Sequence, residues 1–282
     1  MNKVFLINKK VGWTSFDVVA KSKRLLHTKK VGHCGTLDPF AEGLLILCAN
    51  KATKIIRFIE LTNKTYIATL KLGIATSSGD TEGEVVETKD IPNLNKESIS
   101  DVLSAFLGES YQLPPMYSAL KKDGKRLYEY ARENIEVERE KRKIEIFDIN
   151  LLDYKNDEIV FEVTCSKGTY VRVLGEDIAK KLGTVGHLIS LKRTRVGNYR
   201  LEDAIDVNDI AYNLGKDMID AISFMPVVNV DELDAVNVKN GKDLFINKQD
   251  LYVAICYNEE VLAIYEKISE NKYHCLRGLW GD

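Results

Sequence analysis

The sequence predicts an α+β fold, on three observations. Strand and helix patterns are interleaved without the regular strand–helix–strand alternation of a parallel sheet. Apolar residues switch between a period of two and a helical period along the chain. From about Phe224 to Val230 onward the chain becomes strand-rich and acidic, with few helix signals. The elements follow in order. A helix is expected from about Ser15 to Leu26, with Ser15 as N-cap and Val18, Val19, Ser22, Leu25 and Leu26 at helical spacing. Leu44 to Cys48 reads as a buried strand, and Thr65 to Leu72 alternates Tyr66, Ala68, Leu70 and Leu72 against Thr65, Ile67, Thr69 and Lys71. Ile99, Val102, Leu103 and Phe106 form the apolar stripe of a helix expected to stop at Gly108. Between Glu109 and Arg142 the chain turns irregular, through Pro114-Pro115 and the basic run Lys121-Lys122-Asp123-Gly124-Lys125-Arg126. Strands return at Ile144 to Asn150 and Ile159 to Cys165. After a turn at Gly168, Val171, Leu174, Ile178 and Leu182 fit a helix that opens near Tyr170 and ends before Gly183. The change of character near Phe224 divides the chain into residues 1–226 and 227–282.

The composition bounds what such a fold can do. With 282 residues, 45% hydrophobic and 29% charged, the chain can bury a substantial core and matches a soluble globular protein. The longest nearly apolar stretch, Gly43 to Ala49, is too short to span a bilayer, and Lys9 and Lys10 interrupt any signal-peptide pattern, so a cytoplasmic location is expected. Cys34, Cys48, Cys165, Cys256 and Cys275 are scattered, without a Cys-x-x-Cys pair or a His at zinc spacing, so neither a disulfide framework nor a metal site is indicated. The net charge of −2 is unevenly distributed: residues 1–57 hold eleven Lys/Arg against three Asp/Glu, and residues 200–282 hold eight against sixteen. Lys21, Lys23, Arg24, His27, Lys29 and Lys30 cluster in the basic end, fitting either a solvated helix face or a polyanion contact.

The stretch from Val31 to Leu45 carries the chemistry. Gly32, Gly35 and Gly43 allow backbone angles or close approaches that a Cβ would forbid, and Pro39 restricts Asp38 to extended or turn geometry. One carboxylate is thereby fixed in a loop beside an apolar run. Local physics leaves ordinary turn chemistry and an active site both open. The full pattern Gly-His-x-Gly-Thr-Leu-Asp-Pro-x-Ala-x-Gly-Leu-Leu, from Gly32 to Leu45, resembles the signature of the TruB family of tRNA pseudouridine synthases, with Cys34 where Thr is usual. Four further segments resemble the same family. These are Lys64–Ala68 with Leu72-Gly73 and Thr76–Asp80, then Gln112–Lys121 with Gly124–Tyr128, then Cys165–Arg172, and finally His187–Gly197.

The resemblance implies a catalytic domain built on a mixed, mainly antiparallel sheet, with an RNA-gripping insertion at about 112–142, followed by a small β-rich PUA-like domain. It implies isomerisation of uridine-55 in the tRNA T-loop to pseudouridine. The base is flipped out of its stack, and no cofactor or metal is demanded because no redox change occurs. Asp38 takes the position of the family's essential catalytic aspartate, Tyr66 that of a ring against the target base, and Arg172 that of the aspartate's partner. His33, Tyr170, Leu191, Lys64 and Lys121 fall at substrate-binding positions. The partner implied is tRNA, through its T-loop and stem, bound by a monomer with no membrane association and no obligatory protein partner. Rival readings are an RNA-guided relative, a non-catalytic tRNA-binding or folding protein, and a glycoside hydrolase, the last needing a second positioned acid such as Glu42.

Overall fold

The computed structural model describes residues 1–133 and 135–280. Eight strands make the frame of a large sheet: β1 (Lys3–Lys9), β2 (Val31–Cys34), β3 (Glu42–Ala49), β4 (Lys64–Leu72), β5 (Gly108–Gln112), β6 (Arg142–Lys155), β7 (Glu158–Cys165) and β8 (Gly186–Val196). Three helices matter for the site: α1 (Ser15–Leu25), α2 (Lys96–Ser104) and α3 (Val171–Lys181). The strand order is Lys216–Asp217, β1, β3, β8, β4, β7, β6, β5, with β2 added alongside β3 and Tyr199–Arg200 alongside β8. Pairing is antiparallel except between β3 and β8, where Glu42 faces Lys192 and Gly43 faces Arg193.

The period-two pattern divides the core between the two faces of this sheet. Phe5 and Ile7 of β1 join Leu45 and Leu47 of β3, Ala68 and Leu70 of β4, and the apolar sides of α1, α2 and α3 in one cluster. Val4, Leu6, Leu44, Ile46 and Cys48 point to the opposite face. There they meet Ala254, Cys256, Val261 and Ile264 of a second, five-stranded sheet, in the order Val227–Asn229, Tyr252–Tyr257, Glu260–Ser269, Lys272–Gly278, Leu244–Phe245. β3 is therefore buried on both sides, which is why its sequence is a continuous apolar run. The strand-rich tail also holds a helix, Glu232–Lys239, N-capped by Asp231 and burying Ala235 and Val238.

Several expectations need correction. The N-cap of α1 is Thr14, not Ser15. Thr14 is extended, accepts the Asp17 amide on its hydroxyl and donates its own amide to the Asp17 carboxylate, a full capping box. Helix α2 ends at Ser104, earlier than Gly108. Gly108, at φ +89°, opens β5 instead. The segment expected to be irregular contains that strand and then a hairpin, Lys121–Lys122 against Lys125–Arg126, closed by Asp123 and Gly124, both at positive φ. Among the described residues no helix is long and apolar enough to cross a membrane.

Candidate active site

The Asp38 loop, residues 35–41, joins β2 to β3 and is held from behind at several points. Ser15, freed from capping, donates its hydroxyl to the Leu37 carbonyl at 3.1 Å and accepts the Leu37 amide at 2.9 Å. Arg193 of β8, 1% exposed, sends Nε to the Leu44 carbonyl at 2.7 Å and its two terminal nitrogens to the Gly35 and Thr36 carbonyls at 3.1 and 3.4 Å. Lys9 of β1, equally buried, donates to the carbonyls of Trp13 at 2.6 Å and Lys10 at 3.1 Å and reaches the Pro39 carbonyl at 3.5 Å. Its burial pulls the ammonium down to about 8, while the Asp38 charge works in the other direction. Gly43 is required where the loop re-enters the sheet. Its φ is +104°, and a Cβ there would lie 2.4 Å from the Arg193 carbonyl oxygen.

Arg172, in the first turn of α3, closes the site. Its Nε lies 2.9 Å from Asp38 Oδ2 and 3.5 Å from Asp80 Oδ2. Its terminal nitrogens donate to the carbonyls of Ser78 at 2.6 Å and Tyr117 at 2.7 Å. Asp80 is in turn fixed by the Ser78 hydroxyl and the Glu82 amide. The Asp80 and Arg172 side chains are each 4% exposed, whereas that of Asp38 is 35% exposed. Asp38 is thus the solvent-exposed member of the trio. Desolvation by the surrounding protein raises the Asp38 carboxyl above its ordinary value. The Arg172 charge opposes that rise, and the Asp80 charge adds to it.

The other residues singled out from the sequence divide into two groups. Tyr66 on β4 stands opposite Arg193 on β8, and Ala68 opposite Leu191, so these four share the sheet face beneath the loop. Burial raises the phenols of Tyr66 and Tyr170, and the Asp38 charge adds to both rises. Leu191 is 6% exposed. His33 lies on β2 opposite Leu47, its buried Nδ1 has no hydrogen-bond partner among the described residues, and desolvation lowers its pKa. The Lys64 ammonium is turned inward to the Glu60 and Thr62 carbonyls and brought by burial to about 8. Lys121 is exposed on the hairpin. Glu42 pairs with Lys192 at 3.1 Å, so the acid beside Asp38 is Asp80 and not Glu42.

Asp80, Arg193 and Lys9 carry much of this geometry and were not singled out in the sequence. Asp80 ends the quoted Thr76–Asp80 motif, where its type and position were visible signals. Lys9 entered only as a charge that interrupts a signal-peptide pattern and Arg193 only as part of the His187–Gly197 segment, because nothing local marks a charged residue for burial.

A family model described as TruB family pseudouridylate synthase, N-terminal domain, matches residues 23–171, and one described as tRNA pseudouridylate synthase B C-terminal domain matches residues 172–225. The tRNA pseudouridine synthase B of Clostridium perfringens (strain 13 / Type A) is 45% identical over 262 residues, covering 93% of this chain and 88% of that protein. That of Mesoplasma florum is 40% identical over 282 residues, covering 99% of each. A chain in the crystal structure of a Cbf5–Nop10–Gar1 complex superposes with a TM-score of 0.77 at 25% identity, covering 99% of this chain and 85% of that one. The fold is that of a pseudouridine synthase, an isomerase. The chain belongs to the TruB family of pseudouridylate synthases.

Proposed function

We propose that this enzyme converts uridine-55 in the T-loop of tRNA to pseudouridine, with Asp38 acting directly on the nucleotide. The Asp38–Arg172 pair carries this reading: a partly exposed carboxylate 2.9 Å from a guanidinium whose two terminal nitrogens each donate to a backbone carbonyl. The C1′–N1 bond breaks, the base turns over, C1′ joins C5, the C5 hydrogen leaves to solvent as a proton, and N1 takes up a proton. Attack of Asp38 on the nucleotide and removal of a ribose proton by Asp38 both start from the ionised carboxylate. Arg172 favours that form against the desolvation that opposes it.

A base inside a folded loop is out of reach, so the target is turned out of its stack at a cost of a few kcal/mol. Tyr66 packs against it and serves the proton transfers, while Leu191 floors the pocket. His33 and Tyr170 line the cleft, and Lys121 on the hairpin meets phosphate. Lys64 braces the start of β4 under the substrate. Residues 1–226 form the catalytic domain, with residues 112–142 as its RNA-gripping insertion, and residues 227–282 a PUA-like domain. The exposed cations Arg24, Lys29 and Lys30 add to the basic end that receives the T-stem. The enzyme works alone as a monomer in the cytoplasm. Relatives named tRNA pseudouridine synthase B, similar over nearly the whole chain, support tRNA as the substrate and the unguided form.

The test is tritium release from an unmodified tRNA transcript labelled at uracil C5, beside a transcript carrying cytidine at position 55. Stoichiometric release from the first alone is expected. Equal release from both would refute the target, and none from either, with binding intact, would refute the activity.

A further inference from the structure

The segment that leaves β5 crosses the start of α3 and is fastened to it twice. The Gln112 side chain donates Nε2 to the Tyr170 carbonyl at 3.1 Å and accepts the Tyr170 amide on Oε1 at 2.8 Å. Five residues on, the Tyr117 carbonyl accepts from Arg172 at 2.7 Å. Tyr170 is the N-cap of α3 and has no side-chain cap, and its carbonyl also accepts the Leu174 amide at 3.1 Å as the first helical hydrogen bond. Gln112 is 5% exposed, and its backbone sits in the β5–β6 ladder opposite Arg142. A primary amide can both donate to and accept from one backbone residue, as a neighbouring strand would. A carboxylate can only accept, and an alkyl side chain can do neither.

We infer that Gln112 is a positioning residue for the reaction: by holding the Tyr170 backbone it sets Arg172 against Asp38, so that this pairing depends on the seating of residues 112–118. The inference rests on the proposed role of Asp38. Both ends of this buried glutamine's amide are spent on the residue two before the arginine. Seating the segment then completes the Arg172 hydrogen bonds through Tyr117, and lifting it removes one of them. The charged groups around the pair are Asp80 and Glu82 from the loop after β4, Glu176 from α3 itself and Lys9 from β1. Among the described residues the Gln112 side chain hydrogen-bonds only to the Tyr170 backbone, so a change there reaches Asp38 through the helix start.

The experiment compares Gln112→Ala and Gln112→Glu with the parent enzyme on the C5-tritiated tRNA transcript, measuring kcat and KM across the acid limb. The expected result is a fall in kcat of about 100-fold for Gln112→Ala, the scale of a small misplacement of reacting groups, with KM little changed and the acid limb of kcat moved to higher pH. Gln112→Glu, near in shape and keeping one of the two hydrogen bonds, should fall between. Unchanged kcat, or a lower kcat with an unmoved acid limb in the well-folded Gln112→Glu enzyme, overturns the inference. Asp38→Asn in the same assay separates the two failures. An active Asp38→Asn enzyme overturns the reading of Asp38, whereas an inactive one beside a fully active Gln112→Ala enzyme overturns only the role of Gln112.

Discussion

Replacing Arg172 by methionine keeps much of the side-chain length and removes the charge and every donor. The structure indicates where the cost falls. Asp80, with a side chain 4% exposed, loses its only cation within 4 Å among the described residues, and removal of one partner from a buried pair costs about 3–5 kcal/mol. The Asp38 arm adds less than the Asp80 arm, because a carboxylate 35% exposed keeps part of its hydration and, being desolvated by the rest of its surroundings, takes up a proton more readily when its partner leaves. The Ser78 and Tyr117 carbonyls lose donors worth about 1 kcal/mol each when water cannot replace them. A destabilisation on the order of 6 kcal/mol follows, read in urea as a lower midpoint at unchanged slope and in heating as a Tm lower by on the order of 15 °C. Catalysis should fall by about 10²–10³-fold in kcat as the charge support for Asp38 disappears. The double variant Arg172→Met/Asp80→Asn should regain most of the stability and none of the activity. A single variant that loses under about 1 kcal/mol, or a double variant no more stable than the single one, would refute the assignment of Arg172 as a buried bridge between two carboxylates.

Three further predictions follow. Burial raises Glu176 from 4.5 to about 7, so the folded protein binds the extra proton and stability falls as pH rises from about 4.5 to about 7. Glu176→Gln should remove that slope, raising Tm above pH 7 and not below pH 4.5, and parallel Tm curves for the two proteins would count against it. Gly43→Ala should cost on the order of 3 kcal/mol through positive φ and the collision with Arg193, and a Tm within a degree or so of the parent would show that the strands part easily. Lys29→Gln with Lys30→Gln should weaken tRNA binding and reduce the salt slope of log K by roughly 1–2 while leaving kcat intact, and an unchanged slope would place the RNA elsewhere.

What the sequence disclosed and what it hid have physical reasons. The Asp38 loop was legible because glycine and proline impose backbone geometry on their immediate neighbours, and Gly43 at φ +104° meets that expectation. The strand Thr65 to Leu72 was legible from its alternation and appears as Lys64–Leu72. The cap of α1 was misplaced by one residue because Thr14 and Ser15 are both good caps, and only Asp17, three after Thr14, decides between them. The Asp123-Gly124 hairpin was hidden by its own charge, which drew the reading toward phosphate and away from the turn. Lys9, Arg193 and the Gln112 clamp depend on contacts between segments distant in sequence. Each is a polar side chain whose burial is offset by carbonyls that no local pattern announces.

The central claim is that Asp38 does the chemistry and is not merely part of the RNA-binding surface. The most direct measurement is single-turnover tritium release by Asp38→Asn, run beside filter binding of the same C5-tritiated tRNA transcript. Release lost altogether, with affinity within a few-fold of the parent enzyme, is the predicted result. Release at a substantial fraction of the parent rate, or loss of binding in step with loss of release by a folded protein, would contradict it.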